Sequence, residues 1–471
     1  MLLKLRLWSL ILLGALLVAC VTQPVGKQPD LKRLYEISRI SSAKHFQPPV
    51  VIIHGALGSK LRMRHSEQEI WPGSISKMIF GDYDSLRLKI NPDTLEPDFS
   101  DSEAYALFEQ AGGKDYYGRI LRTLSAAGSY HPSQPGLANP QGESRVYVFV
   151  YDWRQDLTKS AARLDQFIQR IRLDYGMAEL KVDIVAHSMG ALVTRYFLRY
   201  GSTDVLDDPQ PRGNFSGMKK VRKVVLIGAP NLGSVSGLQQ FLIGFKVGTG
   251  HITTEALATM PSSYQLLPHP DRDWMVSPDG SRDPHSLYDM QTWRSFHWSI
   301  FDPAVRDDIR SRFKSDAEAN RYLSVLDRYF EKRLRRARQF HRAISIPMEN
   351  SPVRYIVFGG DCKLTPARCL IETVKGKVVI RLYPENIVNN VKGIDYEKLM
   401  LEPGDGRVTK PSLLARNALD PSMQGRDPDI FPLAYSLFLC EEHSQLTGNI
   451  NFQDNLLNVL LLQETTEDRM Q

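Results

Sequence analysis

The sequence predicts an α/β fold, a mostly parallel sheet flanked by helices with a large segment inserted late in the chain. Three observations predict it. Short runs rich in β-branched residues recur at 49–53, 145–150, 221–227 and 353–358, and continuous apolar runs of this kind are strands buried on both faces. Helical patterns stand between them, and strands alternating with helices form parallel sheets. Roughly 120 residues then separate the last two runs, far beyond the usual connection of about 2–6 residues in such folds.

At 471 residues the chain can hold one large or two medium domains. Its 42% apolar and 24% charged residues are those of a globular protein with a sizeable core. A net charge of +6 is modest and partly lies at the very N-terminus, so nucleic acid is not an expected partner. No cofactor is expected.

Residues 1–19 read as a leader. Lys4 and Arg6 make a positive start, and residues 7–18 are an apolar run of roughly 12, short for a membrane span. The run ends Leu17-Val18-Ala19-Cys20, which resembles a bacterial lipobox. Cleavage before Cys20 and lipid modification of its thiol are expected, with a plain secretory signal ending near Ala19 as the alternative. Acyl chains on Cys20 would tie the protein to a membrane, each buried CH₂ adding about 0.8 kcal/mol. Val21 rather than Asp at the next position points, by resemblance to lipoprotein sorting, to the outer membrane. Residues 20–47 read as a tether with one short helix near 31–37.

The first half of the core spans 48–233. Its first strand runs into His54-Gly55-Ala56-Leu57-Gly58, a glycine-containing turn. Residues 59–145 are loop-rich. The strand at 145–150 leads into Tyr151-Asp152-Trp153-Arg154, and a helix at 158–174 follows, with Leu164, Phe167, Ile168 and Ile171 at helical spacing and Gly176 beyond it.

Val182-Asp183-Ile184-Val185-Ala186-His187-Ser188-Met189-Gly190 is the centre of the chain. An apolar strand ends at a serine flanked by small residues, and a helix begins at once, with Met189, Leu192, Val193, Tyr196, Phe197 and Tyr200 on one face. Strand, sharp turn and helix with serine at the apex form a nucleophile elbow. The turn exposes the hydroxyl, Ala186 and Gly190 let strand and helix approach, and the Met189 N–H at the helix start can hold an oxyanion. The pattern usually opens with Gly; here it opens with Ala186.

Residues 234–350 are read as an inserted cap. Within it, residues 241–245 are apolar and fit either an acyl-chain tunnel, a membrane-facing surface or internal packing. Residues 333–342 are strongly basic and read as a solvated helix face, with a headgroup-binding site as the alternative. Asp271, Asp273, Asp279, Asp283 and Asp289 lack the spacing of a calcium loop, and no metal site is expected. Residues 351–471 complete the core, with a hairpin strand at 377–383, an apolar run at 430–440 and a terminal helix near 452–462.

Serine is a poor nucleophile without a histidine base and an acid to orient that base. In α/β-hydrolases these follow in the order Ser, Asp, His. His341 lies in the basic helical stretch, whereas His443 follows an apolar run and precedes a helix. Asp405 stands in a Gly-Asp-Gly turn between Ser188 and His443, with Asp361 as its competitor. His54 and His187 flank the reactive turns and are read as structural. The second oxyanion donor is assigned to the N–H of Ala56. Of the remaining cysteines, Cys362 and Cys369 are close in sequence across a Pro-containing turn and are expected to pair, leaving Cys440 as a buried free thiol.

These residues together resemble the lecithin:cholesterol acyltransferase family of α/β-hydrolases. The carriers are Gly55-Ala56-Leu57-Gly58-Ser59-Lys60-Leu61, Tyr151-Asp152-Trp153-Arg154, the serine elbow, Gly404-Asp405-Gly406 and His443, all in the family's order. The resemblance implies a triad of Ser188, Asp405 and His443, an oxyanion hole of Ala56 and Met189, and a lipid ester substrate. Two departures stand out. Arg407 occupies a position where the family has Thr, and no cysteine lies between Cys20 and Cys362, so the flap after the first strand lacks the family's disulfide. Leu57, Trp71 and Trp153 are expected to contact acyl chains, with core packing the alternative for Trp71 and a structural Asp152–Arg154 pair for the motif around Trp153. The expected protein is a lipid-anchored, monomeric lipase-like hydrolase or acyltransferase; the competing expectation is a non-catalytic lipid-anchored binding module.

Overall fold

The computed structural model describes residues 28–36, 46–74, 81–111, 113–348, 351–416 and 432–461. The leader, Cys20 and most of the tether lie outside the described residues. No helix among the described residues is long and apolar enough to cross a membrane.

Seven strands build the central sheet: β1 (Val50–Ile53), β2 (His131–Ser133), β3 (Arg145–Phe149), β4 (Val182–His187), β5 (Val221–Ile227), β6 (Arg354–Gly360) and β7 (Leu433–Leu439). Their spatial order is β7-β6-β5-β4-β1-β3-β2, and every pairing is parallel. The edge strand β2 was not expected. It is short and contains Pro132, which cannot donate to a ladder and is tolerated at an edge.

Alternation along β1 shows why its run is apolar throughout. Val51 and Ile53 enter one hydrophobic cluster, and Val50 and Ile52 enter another on the opposite face. That opposite face is covered by α1 (Gly118–Ala126) through Ile120 and Leu124 and by the terminal helix through Phe452, Leu456 and Leu460. The first face is covered by α2 (Leu157–Tyr175), α3 (Met189–Tyr200) and the segment between β5 and β6. Asp156 caps α2 by accepting from Thr158 N–H, and Gly176 ends it in a left-handed conformation.

The β5–β6 segment carries α4 (Val235–Ile243), the hairpin Phe245–Val247 with Gly250–Ile252, and α5 (Asp316–Ile344), a helix of 29 residues. Leu323, Leu326, Phe330, Leu334, Ala337 and Ile344 bury one stripe of α5 in the core. The basic stretch on α5 is not simply a solvated face. Arg333 is 2% exposed and reaches Glu96 at 2.9 Å, while Arg336 reaches Asp156 at 3.1 Å and Asp204 at 2.8 Å. On α3 every residue is buried, including Arg195 and Arg199. Arg195 Nη2 donates to the Ile344 carbonyl at 2.6 Å and Arg199 Nε to that of Ile346 at 2.9 Å, so both cations meet the carbonyl-rich end of α5. The terminal helix is α6 (Ile450–Leu461).

Candidate active site

The carboxyl ends of β1, β3, β4, β5, β6 and β7 lie together, where parallel sheets carry their sites. Ser188 stands between the end of β4 and the start of α3, with φ 53° and ψ −124°. Non-glycine residues adopt a positive φ at a cost of about 1–3 kcal/mol and do so when the surroundings force it. The surroundings here are tight. A Cβ on Gly190 would lie 2.5 Å from the His54 carbonyl oxygen, and one on Gly55 would lie 2.8 Å from Ser188 Cβ.

His443 Nε2 lies 3.0 Å from Ser188 Oγ, and its Nδ1 lies 2.8 Å from Asp405 Oδ2. Asp405 is 2% exposed and can act only as acceptor from Nδ1–H, which leaves Nε2 to accept from the serine hydroxyl. Burial would raise the Asp405 carboxyl. The His443 ring and the amides of Val408 and Arg407 outweigh it and hold that carboxyl below its ordinary value. Those amides donate to Oδ1 at 2.8 and 2.9 Å. Asp361, the competitor, is held by Lys410 at 2.8 Å. His341 is buried on α5 beside His269 and Tyr288, apart from this relay.

Met189 opens α3, so its N–H has no acceptor within the helix. Ala56 follows Gly55 on the turn after β1 and lines the same cavity as Ser188. His54 and His187 are wired into the turns. His187 Nδ1 lies 2.8 Å from the Tyr117 hydroxyl, its Nε2 lies 3.3 Å from the His443 carbonyl, and the Gly55 N–H donates to Tyr117 at 2.9 Å. Burial and then the neighbouring His443 push His187 down to about 3, so the ring is neutral. Nδ1 therefore accepts from Tyr117 and Nε2–H donates to His443. His54 stacks on Tyr151 with ring centroids 4.3 Å apart, and burial pushes it down to about 4. Tyr117 was not expected from sequence: it sits in the loop-rich stretch and carries no motif.

A cavity of about 440 Å³ opens beside Ser188 and His443, with Leu57, Trp71, Trp153, Phe241 and Phe245 in its wall. Trp71 Nε1 donates to the Leu57 carbonyl at 2.9 Å and Trp153 Nε1 to that of Ser59 at 3.2 Å. Both indole N–H groups are thus satisfied inside the fold, and the rings offer hydrocarbon to the cavity. The motif around Trp153 serves two ends. Arg154 grips Asp152 through Nε at 3.0 Å and Nη2 at 2.6 Å, and also reaches the Leu86 carbonyl at 3.2 Å and Ser102 Oγ at 2.6 Å. The buried pair therefore pins the 81–108 segment against the sheet. In the stretch 241–245, Phe241 and Phe245 line the cavity, while Ile243 is 69% exposed.

The disulfide differs from expectation. Cys362 pairs with Cys440, their Cα atoms 5.0 Å apart, and Cys369 is the buried free thiol. The reason is sheet register. Gly360 at the end of β6 faces Leu439 at the end of β7, so the residues just beyond both strands are neighbours. Cys369 instead opens the strand Cys369–Val374, which pairs with Met275–Val276 and Lys377–Arg381. Burial pushes its thiol up to about 12. The acidic residues of the β5–β6 segment have local partners: Asp271 faces Arg342, Asp273 faces Arg282, Asp283 faces His285, and Asp289 caps a helix.

Residues 141–355 match the family model described as lecithin:cholesterol acyltransferase. No curated protein matches the chain in sequence. Among solved structures, the chain is similar to one described as the crystal structure of the Tle4-Tli4 complex, with TM-score 0.55 and 15% identity over 89% of this chain and 99% of that one. It also matches EstA from Clostridium botulinum, with TM-score 0.36 and 13% identity over 93% and 100% of the two chains. A third match is phospholipase PlaB from Legionella pneumophila, with TM-score 0.31 and 9% identity over 89% and 61%. The family match runs from just before β3, through the serine turn and the β5–β6 segment, to the start of β6, and over these residues the chain, an α/β fold with a parallel central sheet, is similar to the lecithin:cholesterol acyltransferase family.

Proposed function

We propose that the protein is a serine-dependent lipid acyl-ester hydrolase, with transfer of the same acyl group to an alcohol as its second outcome. The observation that carries this reading is the hydrogen-bonded series Ser188–His443–Asp405 at the mouth of an aromatic-walled cavity.

Ser188 Oγ attacks the ester carbonyl while His443 Nε2 takes its proton, and Asp405 stabilises the imidazolium that forms. The N–H groups of Ala56 and Met189 hold the oxyanion. Collapse expels the alcohol, which leaves with the proton from His443. Water, deprotonated by His443, then attacks the acyl-serine and releases a fatty acid; an alcohol in its place gives a new ester. Leu57, Trp71 and Trp153 hold the acyl chain. Lipid on Cys20 keeps the enzyme at the bacterial outer membrane beside a bilayer substrate, a placement supported by the Leu17-Val18-Ala19-Cys20 sequence.

A fluorophosphonate probe tests the reading. The native protein is expected to label, and Ser188→Ala is expected not to. Labelling that persists in Ser188→Ala would move the nucleophile elsewhere; a native protein that never labels would favour the binding module. Incubation with a labelled phospholipid, with and without a fatty alcohol, separates hydrolysis from transfer.

A further inference from the structure

The cavity beside Ser188 is apolar in its depth and one-signed at its rim. Three cationic side chains line it, Lys114, Lys246 and Arg407, and among the described residues no Asp or Glu does. They come from three separate segments. Lys114 stands on the short hairpin Gln110–Ala111 with Lys114–Asp115, Lys246 on the hairpin after α4, and Arg407 in the Asp405 turn. Lys114 and Lys246 are exposed and solvated at the edge, while Arg407, exposed as a residue, has its guanidinium partly desolvated against the wall, and that burial lowers its pKa from the ordinary value.

Arg407 is the best fixed of the three. Its N–H donates to Asp405 Oδ1 at 2.9 Å and its carbonyl accepts from Ser234 Oγ at 2.6 Å, so both sides of its backbone are pinned. Its guanidinium lies 5.6 Å from the centre of the Phe245 ring, at the boundary between wall and rim. The nearby carboxylates are already engaged. Asp405 is buried against His443, and Glu442 pairs with Lys363. Like charges over a low-dielectric wall focus a field into the cleft, and that field favours one sign of substrate. Arg407 is also one of the positions where this chain departs from the family it resembles.

We propose that this rim makes the enzyme selective for acyl esters whose headgroup carries a net negative charge, with Arg407 as the main specificity determinant and Lys114 and Lys246 as its support. The proposal rests on the acyl-ester reading above. The acyl chain enters the aromatic depth, and the anionic headgroup stays at the mouth, where Arg407 offers a planar pair of donors to phosphate oxygens.

The test uses the purified full chain and short-chain lipids kept monomeric, which removes attraction between an anionic bilayer and the positive protein as a whole. Dihexanoyl phosphatidylglycerol is compared with dihexanoyl phosphatidylcholine. The expected ratio of kcat/KM is about tenfold or more in favour of the anionic ester, carried mainly by KM. That ratio should collapse toward one in the combined variant Arg407→Gln, Lys246→Gln, Lys114→Gln, and survive in Arg407→Lys. In the unmutated protein it should shrink as salt rises from about 0.05 to 0.5 M, because exposed charges are screened. A wild-type ratio near one, a ratio indifferent to salt, or one that survives the combined substitution overturns the proposal. Labelling of Ser188 by fluorophosphonate is read in parallel. A labelled Ser188 with no preference, or with neither lipid cleaved, sinks the charge selectivity alone; an unlabelled Ser188 with neither lipid cleaved sinks the acyl-ester reading itself.

Discussion

The Tyr117 hydroxyl lies 2.8 Å from His187 Nδ1 and accepts the Gly55 N–H at 2.9 Å. One hydroxyl therefore ties the turn after β1 to the residue before Ser188, and His187 carries the tie on to the His443 carbonyl. Tyr117→Phe keeps the ring and removes the link. It should cost about 1–3 kcal/mol of stability, because two buried polar groups lose their partner. It should also lower kcat about tenfold, or 1.4 kcal/mol, with KM little changed. Urea unfolding and steady-state kinetics on a soluble ester read the two effects; an unchanged kcat would leave Tyr117 a purely structural residue.

Close approach at Gly190 gives a second prediction. A methyl group there would sit 2.5 Å from the His54 carbonyl oxygen and 2.8 Å from that of Ile53, both backbone atoms that cannot swing aside. Gly190→Ala should destabilise the fold by about 1–3 kcal/mol, the usual cost of overpacking. It should also slow fluorophosphonate labelling, since the serine turn must shift to make room. Thermal unfolding at wild-type temperature would contradict the packing.

Cys362–Cys440 closes a loop with a sequence separation of 78. In the chain-entropy account such a loop is worth about 4–5 kcal/mol. Cys440→Ser should therefore lower the unfolding midpoint sharply and loosen the loop that carries His443, while Cys369→Ser should do much less. Peptide mapping without reductant should recover Cys362 joined to Cys440 and only Cys369 alkylated. Recovery of a Cys362–Cys369 peptide would restore the pairing expected from sequence proximity.

The pH dependence of stability follows from four buried histidines. Burial pushes His54 down to about 4, His187 and His269 to about 3, and His341 well below its ordinary value. All four are neutral in the native state, while the unfolded chain protonates them near about 6.5. Unfolding therefore takes up protons below that pH, and stability falls as pH drops from about 6.5 toward 4. The slope approaches about 1.4 kcal/mol per pH unit for each histidine. Asp405 acts in a separate window: its depressed carboxyl supports the fold above about 3.9 and that support is lost only at lower pH. Urea midpoints measured between pH 7 and 4 check the sign, and a flat profile would contradict it.

Much of the candidate site was legible in the sequence. Ser188 shows itself through a strand that ends, a flanking Gly190 and a helix that starts at once, all local features. Asp405 and His443 are legible because chain order in this fold class limits the choice, and Asp361 drops out only when Lys410 is seen to hold it. Tyr117 was not legible, since nothing in its neighbourhood shows that it will meet Gly55 and His187. The arginines of α5 misled for a related reason. Charge on a helix is visible in sequence, but the carboxylates that Arg333 and Arg336 reach lie on remote loops at Glu96 and Asp156.

The sequence by itself determined the inner strands of the sheet, the serine turn and the order in which Ser188, Asp405 and His443 follow, because side-chain period and turn sterics act over a few residues; the short edge strand β2 was not among them. Only the tertiary structure decided which strand ends became neighbours. Burial of both faces of the sheet placed β6 beside β7, and that adjacency joined Cys362 to Cys440 rather than to Cys369. It also brought Lys114, Lys246 and Arg407 to one rim, a meeting of segments too distant in the chain for any local pattern to encode.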